Sequence, residues 1–328
     1  MQNLITDIPG LKVGHASDAR LASGTTVVVF DKPVTASVDV RGGGPGTRET
    51  ALLDPAQTVE GIDAIVLSGG SAFGLDAASG AQAYLREQGR GFRIREAVVP
   101  IVPAAIMFDL LNGGDKNWGR FPPYRDLGYQ ATAAASIDFK LGSEGAGLGA
   151  TTATLKGGVG SASQRTPGGI TVGALVVVNA VGTVVVGDSP HFWAAPFEQN
   201  NEFGGRGLPA RFSESDLAIR AKGGPRENTT IAVIATDAAL TKAQCNRLAV
   251  MAHDGFARAI YPVHTPLDGD VIFSAATGDK PLADPYYGLA ELGMVAANVM
   301  ARAIARGVYE ATALRFDGSL PSWRDWHG

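Results

Sequence analysis

A single cysteine in 328 residues, Cys245, excludes an internal disulfide and a cluster of thiolate metal ligands, and fits a reducing compartment. Within AQCNRLAVM it reads as a small packing residue. Charge is also sparse, at 18% of residues with a net −4. The lysines and arginines are dispersed, so the chain has no electrostatic footprint for nucleic acid or an anionic membrane, and neither is expected as a partner. Long apolar runs are missing: nowhere do about 18 such residues follow one another without interruption. The opening MQNLITDIPGLKVG has no basic segment leading into an apolar one. The expectation is a cytoplasmic protein. No Ser/Pro linker, charge block or low-complexity tract divides the chain, which predicts one domain over 1–328. The histidines, His15, His191, His253, His264 and His327, show no paired metal spacing, so neither a metal nor a cofactor is expected.

What the chain has in quantity is hydrophobic residues, 45%, and 43 glycines. The first allow a large core, and the second permit close backbone approach. Short β-branched runs predict buried strands at 25–30, 64–69, 97–108, 174–187 and 229–236. In the fourth, Asn179 to Gly182 separates two valine-rich halves and suggests a hairpin. Helical patterns cover 71–89, 241–260 and about 285–313. The second opens with Thr241 and Gln244 at capping-box spacing. Helices over sheets that contain antiparallel pairs predict a layered α+β architecture. The stretch 198–228 is long, polar and irregular, which in a compact domain marks a functional or disordered loop.

Several motifs imitate known sites. GAGLGA at 145–150 resembles a dinucleotide fingerprint, yet TTATLKGG follows it where a helix should begin. RGGGPG at 41–46 lacks the Lys-Ser/Thr ending of a phosphate loop and reads as a tight turn. Ser71 in SGGSAFG is the nearest approach to a serine nucleophile elbow, and reads as a turn before a helix.

The stretch GGPRENTTIAVIATD, 223–237, passes abruptly from loop to strand. Asn228 finishing a turn and Thr229 and Thr230 beginning a strand explain it in bland terms. A sharper reading is that cleavage of the Asn228–Thr229 bond frees a threonine whose own amine serves as its base. An α-amino group titrates near 7.7–8.0, so a useful fraction is neutral at neutral pH.

NTTIAVIATDAALTKAQ followed by HTPLDGD resembles the DmpA-type family of self-cleaving N-terminal-nucleophile hydrolases, in particular its threonine branch, which includes nylon oligomer hydrolases of the NylC kind. RGGGPGTRET, LSGGSAFGLDAASG, GAGLGATTATLKGGVGSAS and VVVNAVG stand in the same order along the chain. The resemblance implies a four-layer αββα sandwich, self-cleavage into an α chain of 1–228 and a β chain of 229–328, and a homo-oligomer, a tetramer of αβ units.

Carried over by matching motif, Thr229 is the nucleophile and new terminus. Lys156 in TATLKGG is the active-site lysine, and Asn179 in VVVNAVG the asparagine directed to the oxyanion. Asp268 and Asp270 in PLDGDV are an acidic pair that would orient the amine and Lys156 through charge-assisted hydrogen bonds. Two departures stand out: Phe108 occupies a substrate-contacting position where the nylon oligomer hydrolases place tyrosine, and Glu227 replaces a small residue before the cleavage-site Asn228. The implied activity is hydrolysis of amide bonds through an acyl-enzyme, by an aminopeptidase or amidase acting on small amides or peptides with a free amine, 6-aminohexanoate oligomers included. Two other readings stand beside it: an acyltransferase similar to the ornithine acetyltransferases, using the same threonine, and a binding protein that stays a single chain.

Overall fold

The computed structural model describes residues 1–222 and 228–328; Glu227 lies outside the described residues. Eleven strands are present among them: β1 (Leu11–Asp18), β2 (Ser23–Val40), β3 (Gly46–Arg48), β4 (Ile62–Ser68), β5 (Phe92–Ile94), β6 (Ala97–Val99), β7 (Ala104–Ile106), β8 (Val159–Arg165), β9 (Thr171–Val177), β10 (Ile231–Ala238) and β11 (Val271–Lys280). The α-helices are α1 (Ala77–Glu87), α2 (Tyr124–Ala133), α3 (Lys242–Ala259), α4 (Tyr287–Tyr309) and α5 (Trp323–His327).

The strands follow the order β3-β7-β4-β2-β11-β10-β9-β8, with β1 on the other side of β2, and β5 pairs only with β6. The 18-residue β2 serves two sheets: its first half pairs with β1 and β4, its second half with β11. Alternation along the strands then builds three apolar layers. Ile231, Val233 and Ala235 of β10 face Val28, Phe30, Ile65 and Leu67 of the other sheet. Ala232 and Ile234 point the opposite way, toward Leu248 and Phe256 of α3 and Val295 and Val299 of α4. On the far side, Val27, Val29, Ala64 and Val66 meet Ala78, Leu85 and Leu127 of α1 and α2. Helix, sheet, sheet and helix are thus stacked as four layers.

The expected helices are present. Thr241 accepts from the Gln244 amide while Gln244 reaches back, and this capping box starts α3, a contribution of about 1 kcal/mol. The 71–89 pattern opens as a 3-10 turn, Ser71–Asp76, before α1. By length and composition α4 is apolar enough to cross a bilayer, but Leu292, Val295, Val299, Met300 and Ile304 are committed to the core.

Two expectations need correction. Residues 174–187 do not form a hairpin. The first half is β9, and both its edges are already taken by β8 and β10, so Val178–Val186 leaves the sheet as buried irregular chain. The hairpin lies one step earlier, between β8 and β9, where Thr166 N–H donates to the Ile170 carbonyl. The run 97–108 also divides: β6 and β7 belong to different sheets, separated by the segment containing Pro100 and Pro103, which cannot donate to a ladder. GAGLG at 145–149 is a 3-10 helix standing between α2 and β8, the reverse of the strand-then-helix order that a dinucleotide site needs.

Candidate active site

Strand register brings the candidate residues together. Ile231 of β10 lies opposite Val271 of β11 in parallel and opposite Val177 of β9 in antiparallel. Counting two residues back along β10 puts Thr229 between Gly269 and Asn179. The contacts agree: Asn228 bridges to Asp268, Gly269 N–H donates to the Asn228 carbonyl at 3.1 Å, and Thr229 N–H donates to the Asn179 carbonyl at 2.8 Å. The same sheet end carries Lys156, just before β8, and Arg41 to Gly44, just after β2.

Thr229 is buried, 4% exposed. Its Oγ1 donates to the carbonyl oxygen of Asn228 at 2.5 Å. That carbonyl therefore accepts a backbone N–H on one side and the threonine hydroxyl on the other. The hydroxyl oxygen of a residue rests against the carbonyl that precedes it, while a fixed amide polarises that carbonyl, the arrangement an oxyanion needs as a tetrahedral centre forms. The Asn228 side-chain amide is buried with no hydrogen-bond partner among the described residues.

The two aspartates organise the surrounding loops. Asp268 Oδ2 accepts from Thr265 N–H at 2.9 Å and Thr265 Oγ1 at 2.8 Å, and Oδ1 accepts from Val181 N–H at 3.3 Å. Burial first, and the neighbouring Asp270 charge second, raise its pKa above the ordinary carboxylate value. Asp270 Oδ1 accepts from Thr230 N–H at 2.9 Å, next to the candidate nucleophile. Its Oδ2 accepts from His264 Nδ1 at 2.8 Å. The glycine loop lies on this turn: Arg41 and Gly42 N–H donate to the Asp270 carbonyl, and Gly44 N–H to that of Asp268. A Cβ on Gly42 would stand 2.3 Å from Asp270 N, so here glycine is required by close approach.

Lys156 is buried, and its ammonium donates to the carbonyls of Gly147, Ala150 and Gly157 at 2.7–2.8 Å. Burial, reinforced by the Lys222 charge and opposed by Asp109, pulls its pKa down to about 7. The acidic pair was expected to hold this lysine; the structure gives both carboxylates other donors, because Lys156 turns toward the 145–150 segment. Asn179 stands between the two sets. Its Nδ2 donates to the Phe108 carbonyl at 3.1 Å, and its Oδ1 accepts from Thr151 N–H and Lys222 Nζ. Among the described residues of the continuous chain, the Asn228 carbonyl accepts from Gly269 N–H and from Thr229 Oγ1. Phe108 lines two hollows. One, of about 210 Å³, holds Lys156 and Lys222; the other, of about 560 Å³, holds Thr229, Asn228, Gly44 and Ser71.

The family model for "Peptidase family S58" matches residues 3–319. The chain belongs to peptidase family S58. It is thereby an enzyme of the hydrolase class acting on peptide or amide bonds. An "uncharacterized aminopeptidase" of Mycobacterium tuberculosis is 44% identical, with 98% of this chain and 97% of the relative covered. A 6-aminohexanoate-oligomer endohydrolase of Kocuria sp. is 28% identical over 86% of this chain and 77% of its own length. In fold, the chain is similar to a Burkholderia sp. beta-aminopeptidase, with a TM-score of 0.72 and 23% identity over 100% and 95% of the two chains. It is also similar to the L-aminopeptidase D-Ala-esterase/amidase of Ochrobactrum anthropi, described as a variant of the Ntn hydrolase fold, with a TM-score of 0.68 and 20% identity over 98% and 90%. The four-layer sandwich of this S58 chain is that fold.

Two residues of this candidate site escaped sequence reasoning. Gly269 reads as a turn glycine between two aspartates, and its N–H becomes significant only once register places it on Asn228. A Cβ there would stand 2.7 Å from both the Gly44 carbonyl and Thr229 Oγ1. Gly269→Ala keeps the N–H, but the clash of its Cβ would move that donor off the Asn228 carbonyl. Any cleavage at Asn228–Thr229 is expected to slow by about 100-fold, since losing one oxyanion donor costs about 10²–10³, and a time course on a denaturing gel checks it. His264, four residues before Asp268, carries no metal spacing and so no signal.

His253 of α3 lies behind the site, 4% exposed, with Nε2 3.2 Å from the Asp39 carbonyl. Burial takes its pKa down to about 3; His264 and Arg41 push the same way and the Asp39 carbonyl opposes. The folded state thus refuses a proton that the unfolded chain accepts near pH 6.5. This contribution to stability is complete above about pH 6.5 and is lost as pH falls toward 3, at about 1.4 kcal/mol per unit. Denaturant melts at pH 7 and 5 are expected to show wild type losing about 2 kcal/mol more than His253→Phe.

Proposed function

We propose that this S58 chain is a self-processing N-terminal threonine hydrolase, an aminopeptidase or amidase. The observation that carries the reading is Thr229 Oγ1 held at 2.5 Å on the Asn228 carbonyl oxygen, with Gly269 N–H on the same atom. In processing, Oγ1 attacks the Asn228 carbonyl carbon, the C–N bond breaks, and the hydroxyl proton ends on the departing Thr229 nitrogen. Water then hydrolyses the ester, leaving a carboxylate on Asn228 and a free amine and hydroxyl on Thr229. In turnover the free amine takes the hydroxyl proton as Oγ1 attacks a substrate amide and returns a proton to the leaving amine; water then hydrolyses the acyl ester on Oγ1, releasing the acid and restoring the Thr229 hydroxyl. Asn179 and Gly269 N–H supply the oxyanion donors, Asp270 fixes the Thr230 N–H beside Thr229, and Lys156 braces the wall formed by 147–157. Phe108 offers substrate an apolar face and a committed backbone carbonyl.

The substrates of this reading are small amides or peptides with a free amine. The relatives' named activities, aminopeptidase and 6-aminohexanoate-oligomer endohydrolase, support that class. The functional unit is a tetramer of αβ pairs in the cytoplasm, which exposed apolar side chains such as Phe73, Phe121 and Leu111 are consistent with. The test is a substrate panel: the p-nitroanilides of L-, D- and β-alanine and a 6-aminohexanoate oligomer. Hydrolysis of at least one, with a free amine released, is the expected result; acetyl transfer to glutamate without any hydrolysis would contradict it.

A further inference from the structure

Asp270 is gripped from two sides. One carboxylate oxygen receives the Thr230 amide, while the other receives both the backbone N–H of His264, at 3.2 Å, and its ring Nδ1, at 2.8 Å. His264 adopts φ +55°, a left-handed conformation that a non-glycine residue enters at some cost. The result is that its backbone and ring converge on one oxygen. The ring stacks on Phe256, with centroids 5.7 Å apart and planes at 25°, and meets His253 edge-on at 4.8 Å. Its Nε2 is buried without a partner among the described residues.

This environment selects a tautomer. A carboxylate oxygen at Nδ1 calls for a donor there, and Nε2 meets no acceptor among the described residues, so the neutral ring carries its hydrogen on Nδ1. The charged or titratable groups in contact with His264 among the described residues are Asp270 from its own turn and His253 from α3; behind His253 lie Asp39 and Arg41 at the end of β2, joined to each other at 2.5 Å. Among the described residues Nδ1 is committed to Asp270. Truncating the ring would leave that carboxylate oxygen only the longer bond from the His264 backbone N–H, at 3.2 Å, and the acceptor of the Thr230 amide would be held less firmly.

We propose that His264 is a positioning residue for the threonine: by donating from Nδ1 to Asp270 it holds the carboxylate that fixes Thr230 N–H, and so keeps Thr229 Oγ1 on the Asn228 carbonyl. The inference rests on the reading of Thr229 as the nucleophile. It acts on geometry at the reacting atoms, so its loss lowers rate without changing substrate affinity.

His264→Asn and His264→Leu separate this role from packing. The Asn side chain can place an N–H donor at the position of Nδ1 and tolerates positive φ; Leu fills the space with no donor. Processing half-times, and kcat and KM on the fastest substrate of the panel, are measured alongside a melt of each variant. Leu is expected to slow both processing and kcat by about tenfold or more with KM within about twofold, and Asn to recover to within about threefold of wild type. Asn as slow as Leu, Leu as fast as wild type, or a change confined to KM overturns the assignment. If the Leu variant does not fold, Asn decides alone: near-wild-type rates sustain the role and a roughly tenfold deficit overturns it. A wild-type chain that never processes contradicts the underlying reading as well, whereas a processing wild type with indifferent variants removes only His264.

Discussion

A Thr229→Ala chain is expected to stay in one piece and to turn over no amide. The methyl group leaves the Asn228 carbonyl with its Gly269 donor but with no oxygen to attack it, so the bond that would free the amine persists. Nucleophile and base disappear together, because the base exists only after cleavage. Removing a nucleophile that works as a unit with its base costs on the order of 10⁴ to 10⁶ in rate. Thr229→Ser keeps the hydroxyl and should process and turn over within about tenfold of wild type, since the missing group is one methyl. Denaturing electrophoresis and panel assays on both variants check this. Full activity in an uncleaved Thr229→Ala chain would refute the nucleophile assignment.

The second large effect is expected at Lys156, in stability as well as in activity. Lys156→Met fills the space but removes three N–H donors. The Gly147 and Ala150 carbonyls retain a second donor, from Ala150 and Gly157 N–H respectively, and the Gly157 carbonyl loses its ammonium partner. One orphaned buried carbonyl and two weakened ones destabilise by about 2–4 kcal/mol, less the desolvation cost that the ammonium carried. The 147–157 wall beside Asn179 loosens at the same time. Wild type also carries a pH signature that the variant lacks. With the folded pKa near 7 and the ordinary value 10.5, the unfolded chain holds a proton over that window that the folded chain has released. Stability therefore rises with pH from about 7 toward 10.5, by about 1.4 kcal/mol per unit. Denaturant melts at about pH 7.5 and 9 should show this rise in wild type and its loss in Lys156→Met; equal slopes would place the charge of Lys156 elsewhere.

Much of the fold was legible because β-branched residues stand where strands are buried on both faces: TTVVVF became the first half of β2 and TTIAVIAT the start of β10. Thr241 and Gln244 marked α3 to the residue, since a capping box is a local device. Where the strands are built from small residues, as in VGSASQR of β8, the run carries no hydrophobic signature; pairing with β9 makes it a strand, with α4 approaching so closely that a Cβ on Gly160 would meet the Ala303 carbonyl. The false hairpin at 174–187 has the opposite cause. The β propensity after Asn179 is real in Thr183, Val184, Val185 and Val186, but β9 has no free edge to offer them.

In the site, chemistry-bearing side chains could be named from motifs, and the structure gathers Asn179, Thr229, Asp268 and Asp270 at one sheet end. Backbone groups could not be named, since the Gly269 amide and the Asn179 carbonyl gain meaning only from the register of β9, β10 and β11. His264 stayed hidden for a similar reason: its partner is fixed by a left-handed turn, which leaves no periodic trace.

The most direct measurement is the mass and N-terminal sequence of the purified protein after prolonged incubation. Two chains, 1–228 and 229–328, with threonine at the new terminus, are the result expected here. A single intact chain, or a terminus at any other residue, would contradict the central claim.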